Sequence, residues 1–553
     1  MNRRALRHFR SLPVAGLAIV LTIACAFSLS GCSGRQLTPE QKLEDFRYLF
    51  NVLRENHPYL ALKARVEGYD WLAHEREFED AICRTKTDAE FAKEIGRTLL
   101  LINNGHTTIV SPRLYDMIVS LPKQMKPWLD EAAKTDAQTV KKWFDLFVSG
   151  LTPTKVLPFQ AIYTRGEYYV ISVAEEAKAK GICPGQKVVS INGTPVHEFV
   201  AGLRGSIQLS YDPGHRRVYV DQLVVTDLSG TYDVVLESRD GARTQARVGL
   251  VRPPGNFVNP VFPTNLRQKK SNLYTGYLAG GKVAYIHISQ MIQYEASEDD
   301  KAALNKFFSE IKDVPSLIID IRGNGGGDDR FWLLNIVRPL ATRPLCWSGG
   351  RVARSGSYMV PFLKANDEFA GTIEGVSGEE VIVDKTALSR DLTPLQIANL
   401  PPETLTGSFG DIVKSAGVMS PSGEFPYNGR IFLLVDRSVY SSAEGFASFC
   451  KGSGWATVVG GPTGGGGDGS TPVITVLPNS RMAVFFPSTM GLNPDFTANE
   501  ETHTTPDVLV EPDPEAVVRF AEALTRGVSL GEGPNVEYDT VLRECLRLAL
   551  GGE

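Results

Sequence analysis

The sequence predicts an α/β protein with a helical N-terminal region, and three observations carry that prediction. Residues 38–54 and 125–148 place apolar side chains at helical spacing. Residues 155–250 change to short strand patterns separated by turn residues. Residues 275–512 alternate apolar strand runs with helical segments, the pattern of a sheet covered by helices. The chain has 553 residues, 42% hydrophobic and 22% charged, with 52 Gly and 33 Pro. This composition excludes collagen, a coiled coil or disorder as the main state. At about 150 residues per domain the length suggests two to four domains. The net charge of −5 gives no basic excess for nucleic acid. Only the N-terminal run is apolar enough to enter a membrane, which excludes a multi-span protein.

That run reads as an address. Arg3, Arg4, Arg7 and Arg10 precede the nearly uncharged stretch from Leu12 to Leu29, which ends in Leu29-Ser30-Gly31-Cys32. A positive segment, an apolar segment and small residues form a secretory signal, with an uncleaved anchor helix as the alternative. The ending resembles a bacterial lipobox. That resemblance implies cleavage after residue 31, a lipid on Cys32 and, with Ser33 following, retention in the outer membrane. Removal of residues 1–31 takes away four Arg and no acid, so the charge moves from −5 to −9. Beyond Cys32, the cysteines are Cys83, Cys183, Cys346, Cys450 and Cys545. No spacing among them suggests zinc, and most are expected to be buried apolar residues.

In the mature chain, Phe46, Leu49, Phe50 and Leu53 form one helical stripe behind a Thr38-Pro39 start, and His57-Pro58 ends it. Tyr168–Val173 reads as a strand and Ala174–Lys180 as a short helix stopped by Gly181. A strand then runs into the Ile191-Asn192-Gly193 hairpin turn. A further hairpin is expected around Asp240-Gly241. Between 275 and 512 the expected strands are Val283–Ile288, Ser316–Ile321, Arg430–Val435, Ala456–Val459 and Met482–Phe486. The expected helices are Phe331–Leu340 and Ala443–Cys450. A last helix starts at Asp513-Pro514 and stops at Gly527.

Two junctions could carry chemistry. Asp320-Ile321-Arg322-Gly323-Asn324-Gly325-Gly326-Gly327 follows an apolar strand, and its glycines allow backbone N–H groups close to a ligand. It lacks the Gly-Lys-Ser/Thr ending of a phosphate loop. Val439-Tyr440-Ser441-Ser442-Ala443-Glu444 joins a strand to a helix. A serine there either exposes its hydroxyl beside unpaired first-turn N–H groups or merely caps the helix. No Gly-x-Ser-x-Gly elbow is present, which disfavours an α/β-hydrolase.

Together these motifs, with Gly460-Gly461-Pro462-Thr463 and Thr505-Pro506-Asp507-Val508, resemble the tail-specific, or C-terminal processing, serine protease family over roughly residues 40–512. The resemblance implies a helical region over 32–154 and a PDZ-like domain over 155–255, in which Gln186 stands where Asp is usual. It also implies a ClpP/crotonase-like ββα catalytic core over 270–527, followed by a C-terminal helix over 528–553. It places Ser441 at the nucleophile. Most members activate this serine with a Lys, but the corresponding position is Gly466 and no Lys follows Lys451. A serine still needs a base, and His suits neutral pH.

Gly105-His106-Thr107 resembles an element of the tricorn-core-like branch, which uses Ser–His chemistry, so His106 is the first candidate base and His503 the reserve. The same branch implies that Glu500, or its neighbour Glu501, helps to orient the site. Gly326 and Ser442 are the expected oxyanion donors through their N–H groups. The expectation is thus a lipid-anchored serine peptidase of the cell envelope with protein or peptide substrates. Its PDZ-like domain would capture protein C-termini. No metal, organic cofactor or nucleic acid is implied, and the oligomeric state stays open. The alternative is a non-catalytic binding protein on the same fold.

Overall fold

The computed structural model describes residues 36–149, 155–226, 230–252, 271–371, 373–528 and 533–552. The signal segment 1–31 and Cys32 lie outside the described residues. Among the described residues, no helix is long and apolar enough to cross a membrane.

The fold is mixed α/β with a helical N-terminal region. Its first helix, Pro39–Asn56, starts in a reciprocal cap: the Thr38 hydroxyl accepts from Gln41 N–H, and the Gln41 side chain accepts from Thr38 N–H. Such a cap satisfies two otherwise unpaired donors. Helices Leu60–Glu67, Glu75–Arg84, Asp88–Ile102 and Ala137–Ser149 follow. Their apolar faces do not close a core by themselves. Phe46, Phe50, Phe91, Trp128 and Trp143 pack in one cluster with Val473, Val484 and Phe486 from the far end of the chain. Strand Thr108–Ile109 seals this union by pairing antiparallel with Ala483–Phe486, Thr108 opposite Phe485. The N-terminal region therefore shares its core with residues 473–486.

The central sheet has six strands in the order Leu273–Leu278, Val283–Ile288, Ser316–Asp320, Arg430–Val435, Thr457–Gly460 and Val508–Leu509. The first pair is antiparallel and the rest are parallel. Val283–Ile288 and Ser316–Asp320 are buried along their whole length, as parallel strands covered on both faces must be. That burial explains why they read as continuous apolar runs. Ser316–Asp320 and Arg430–Val435 are adjacent, so the loops leaving their C-terminal ends meet. In open α/β sheets that edge is where ligands bind.

The segment 155–252 forms a sheet in the order Phe159–Thr164, Glu167–Val173, Lys187–Ile191, Thr231–Glu237, Arg243–Gly249. Asn192 and Gly193 both have positive φ, 50° and 77°, and Ile191 pairs with Thr194 across them, the two-residue hairpin expected of Asn-Gly. Gln186 bonds Cys183 N–H, Ser238 and Thr244, tying the turn before the strand to the later hairpin.

Three expectations need correction. The helix expected over Phe331–Leu340 is α-helical at Asp329–Trp332, π-helical at Leu333–Val337 and α-helical again at Arg338–Leu340; Pro339 has no N–H to continue a regular ladder. The C-terminal helix is confined to Thr540–Ala549 and capped by Asp539. Of the five cysteines only Cys450 and Cys545 are buried; Cys83, Cys183 and Cys346 are exposed, and Cys346 lies on a strand in which only Leu345, Gly350 and Val352 are buried.

Candidate active site

Ser441 sits where strand Arg430–Val435 has ended and helix Ser442–Ser453 begins. Its backbone adopts φ 57°, ψ −126°, a conformation that costs a non-glycine residue about 1–3 kcal/mol and persists only where the surroundings hold it. They do so here: Ser441 N–H donates to Gly465 O at 3.2 Å, Tyr440 N–H to Asn324 O at 3.2 Å, and Gly464 N–H to Val439 O at 2.7 Å. Although Ser441 occupies the cap position, its side chain makes no capping bond. Its Oγ lies instead 3.0 Å from His106 Nε2.

His106 is delivered by the N-terminal region. Asn103 ends helix Asp88–Ile102 in a left-handed conformation, φ 58°. The Asn104 Oδ1 then accepts from His106 N–H at 3.1 Å and from the Thr107 hydroxyl at 3.0 Å. Thr107 also lies 2.8 Å from His57 Nε2, and Thr108 enters the strand pairing with Phe485. The turn is thus held on both sides of the imidazole. Burial pulls the His106 ring down to about 4, so it is neutral at physiological pH and able to accept a proton. Its Nδ1 faces the Tyr440 hydroxyl at 3.5 Å, a long contact for a hydrogen bond. The two rings pack at 4.8 Å between centroids.

Glu500 does not touch His106. Its Oε1 accepts from Asn104 Nδ2 at 3.0 Å and pairs with Lys63 Nζ at 2.8 Å, so its link to His106 runs through Asn104 to the His106 backbone N–H. Lys63 also pairs with Glu67 at 2.8 Å, and Glu67 with Arg204. Burial disfavours the Lys63 ammonium, but Glu500 and Glu67 outweigh it and hold its pKa above the ordinary value. Glu501 points elsewhere, to Arg65 at 2.8 Å. His503 is committed to Thr463: its Nδ1 donates to that carbonyl at 2.7 Å. Among the described residues no hydrogen bond joins it to Ser441, and burial pulls it down to about 4.

Gly326 lies against the serine, but not as the sequence suggests. Its N–H donates to its own loop, to Asn324 Oδ1 at 2.9 Å, because the Asn324 side chain folds back over the turn. The donor expected for an oxyanion is therefore engaged in this structure. What the position requires is the absence of a side chain: with φ 99°, a Cβ there would lie 2.8 Å from Ser442 N and 2.7 Å from Ser441 Cβ. Ser442 N–H belongs to the first helical turn, where the helix offers no acceptor. The loop is anchored by Arg322, which bonds Asp320 at 2.7 Å and Asp539 of the C-terminal helix at 2.7 Å.

Sequence reasoning missed three participants. Tyr440 and Asn104 adjoin residues already singled out, and an aromatic ring beside the serine was a usable signal. Lys63 gives no local sign of its role, since its partners lie in distant segments. The arrangement places a hydroxyl, a neutral imidazole and a free backbone donor around one point. This is the equipment for acyl transfer by a serine.

Residues 282–510 match the model of peptidase family S41. Two solved structures resemble the whole chain. Mature CPAF complexed with lactacystin is 13% identical with a TM-score of 0.52, covering 93% of this chain and 99% of its own. Mature CPAF alone is 13% identical with a TM-score of 0.52, covering 93% and 98%. At that identity the likeness concerns the fold. No curated protein matches the chain. On that match, carried on this α/β fold, the chain is a serine-type peptidase, with its likeness to peptidase family S41 carried by residues 282–510.

Proposed function

We propose that this peptidase works by a Ser441–His106 pair. His106 Nε2 takes the proton from Ser441 Oγ as the oxygen attacks the peptide carbonyl, and the tetrahedral oxyanion is met by Ser442 N–H. The same imidazolium then protonates the leaving amine, and water deprotonated by His106 hydrolyses the acyl-enzyme. Asn104, backed by Glu500 and Lys63, fixes the turn that carries the base. The observation that carries this reading is the 3.0 Å approach of Ser441 Oγ to His106 Nε2, in a chain whose usual Lys position is Gly466. A fluorophosphonate probe tests it. Wild type should label at Ser441, while Ser441→Ala and His106→Ala should lose labelling and peptide turnover, the latter by about 10⁴-fold or more. A His106→Ala protein of wild-type rate would overturn it.

We also propose that the peptidase is anchored through a lipid on Cys32 in the outer membrane and faces the periplasm or the exterior. The Leu29-Ser30-Gly31-Cys32 ending supports this. Cys32→Ser should abolish incorporation of labelled fatty acid and move the protein from the membrane to the soluble fraction. The sheet unit 155–252 we assign to capture of a protein C-terminus by strand addition. Its edge strand Arg243–Gly249 supports this, with six of seven residues half-buried or less and Arg247 exposed. Amidating the C-terminus of a peptide substrate should then raise KM.

A further inference from the structure

A second group of polar residues lies one turn beyond Ser441, along the face of helix Ser442–Ser453 that carries Ser442, Gly445 and Ser448. Gly445 leaves this face open: a Cβ there would meet a single atom within 4 Å, Asp329 Oδ1 at 3.8 Å. Asp329 is solvent-exposed and accepts from Trp332 Nε1 at 3.3 Å. Further along, Asp468 accepts from the Ser448 hydroxyl at 2.8 Å. Asp468 is held in a left-handed conformation, φ 57°. The face is therefore bordered by two carboxylates. Behind it stands Glu444, fully buried, with one oxygen bonded to Asn499 and Thr504.

None of these carboxylates has an ion-pair partner among the described residues. The nearby Arg330 is committed to Asp328 and Glu295. Burial, reinforced by Glu444 and Asp329, pushes the Asp468 carboxyl up to about 7, as expected of like charges sharing one region without a cation. Two buried acceptors are also left over. Ser442 Oγ, in a residue 6% exposed and facing Asp329, and Glu444 Oε2 find no hydrogen-bond partner of good geometry among the described residues. Unsatisfied buried polar atoms are rare and call for a ligand or another explanation.

We infer that this cleft receives a cationic group of the peptide beside the scissile bond, the ammonium of Lys or the guanidinium of Arg, held by Asp329 and Asp468 with Ser442 Oγ as a further acceptor. The inference rests on the Ser441–His106 reading, because only that reading places the scissile bond one residue from Ser442. A cation has the donors the cleft lacks, and charge-assisted hydrogen bonds are the strong ones. Gly445 supplies room for the aliphatic stem.

The experiment measures kcat/KM of the purified protein on N-acetylated peptides that differ only in the residue on either side of the cleaved bond: Lys, Arg, norleucine or Ala. Lys and Arg are expected to exceed norleucine by about ten- to a hundredfold at one of these positions. Asp468→Asn and Asp329→Asn should each reduce that ratio while leaving Ala peptides and fluorophosphonate labelling of Ser441 near wild type. Unchanged melting temperatures confirm that the variants fold. Equal rates for Lys and norleucine, with Ser441 still labelling and Ala peptides still cleaved, overturn the cleft assignment alone. A gain for Ala peptides only when their N-terminus is left free would assign the cleft to an α-amine and overturn side-chain recognition. A protein that neither labels nor cleaves any peptide overturns the Ser441–His106 reading and the cleft with it.

Discussion

The ring of Tyr440 fills the space that a side chain at Gly466 would need. A Cβ at Gly466 would lie 2.6 Å from the Tyr440 hydroxyl and closer still to the ring carbons. Gly105 meets the same ring from the other side, its Cβ position 2.8 Å from Tyr440 Cζ. The Ser–Lys arrangement is therefore excluded by packing as well as by sequence, and the imidazole of His106 packs against that same ring at a tilt of 46°.

Gly466→Lys should accordingly not create a working Ser–Lys pair. Gly466 has φ 73°, so any side chain is strained there by about 1–3 kcal/mol, and Tyr440 must move. The expected outcome is a lower Tm and lost turnover at every pH. A variant with wild-type Tm and a new alkaline activity limb would contradict this account.

The acid limb of activity should lie well below the pH at which a free imidazole titrates. The sequence alone suggests a His titration near pH 6–7, but burial pulls His106 down to about 4. Only the neutral ring accepts the Ser441 proton. Activity should therefore persist as pH falls through 6 and disappear as it passes about 4, if the fold survives. The check is kcat/KM against pH, with the folded fraction followed by circular dichroism at each point.

Gly326→Ala and Ser441→Ala should separate fold from chemistry. Ser441→Ala removes a hydroxyl that caps nothing, so its Tm should stay close to wild type while turnover is lost. Gly326→Ala places a methyl 2.8 Å from Ser442 N at φ 99°, blocking the backbone donor. Losing one oxyanion donor costs about 10²–10³ in rate, and the positive φ lowers stability as well. Differential scanning calorimetry together with turnover distinguishes the two variants.

Lys63→Met should destabilise the protein strongly although the residue lies outside the reacting atoms. Its ammonium is shared by Glu67 and Glu500, both at 2.8 Å. Removing it leaves two buried carboxylates without that partner, a loss of about 3–5 kcal/mol for a broken buried pair. Urea denaturation measures it. Turnover per folded molecule should also fall, because Glu500 holds Asn104 and Asn104 holds the His106 turn.

The strands of the core were legible because parallel strands buried on both faces must be apolar throughout: Val283–Ile288 and Arg430–Val435 fall where their composition places them. The cap at Thr38, the Asn192-Gly193 turn and the helix after Asp513 were legible for a related reason, since each is decided by a few adjacent residues. Ser441 and His106 were singled out through the family resemblance: the strand-to-helix junction alone left a helix cap open, and the missing lysine pointed to a histidine without choosing one. Their meeting was decided only by tertiary structure. They are separated by 335 positions, and what joins them is the pairing of Thr108 with Phe485 and a core shared between the first helices and residues 473–486. The detour of Glu500 through Asn104 and the self-bonding of the Gly326 loop belong to the same class. They depend on which buried donor each acceptor finds nearest after packing, and local sequence pattern carries no record of that competition.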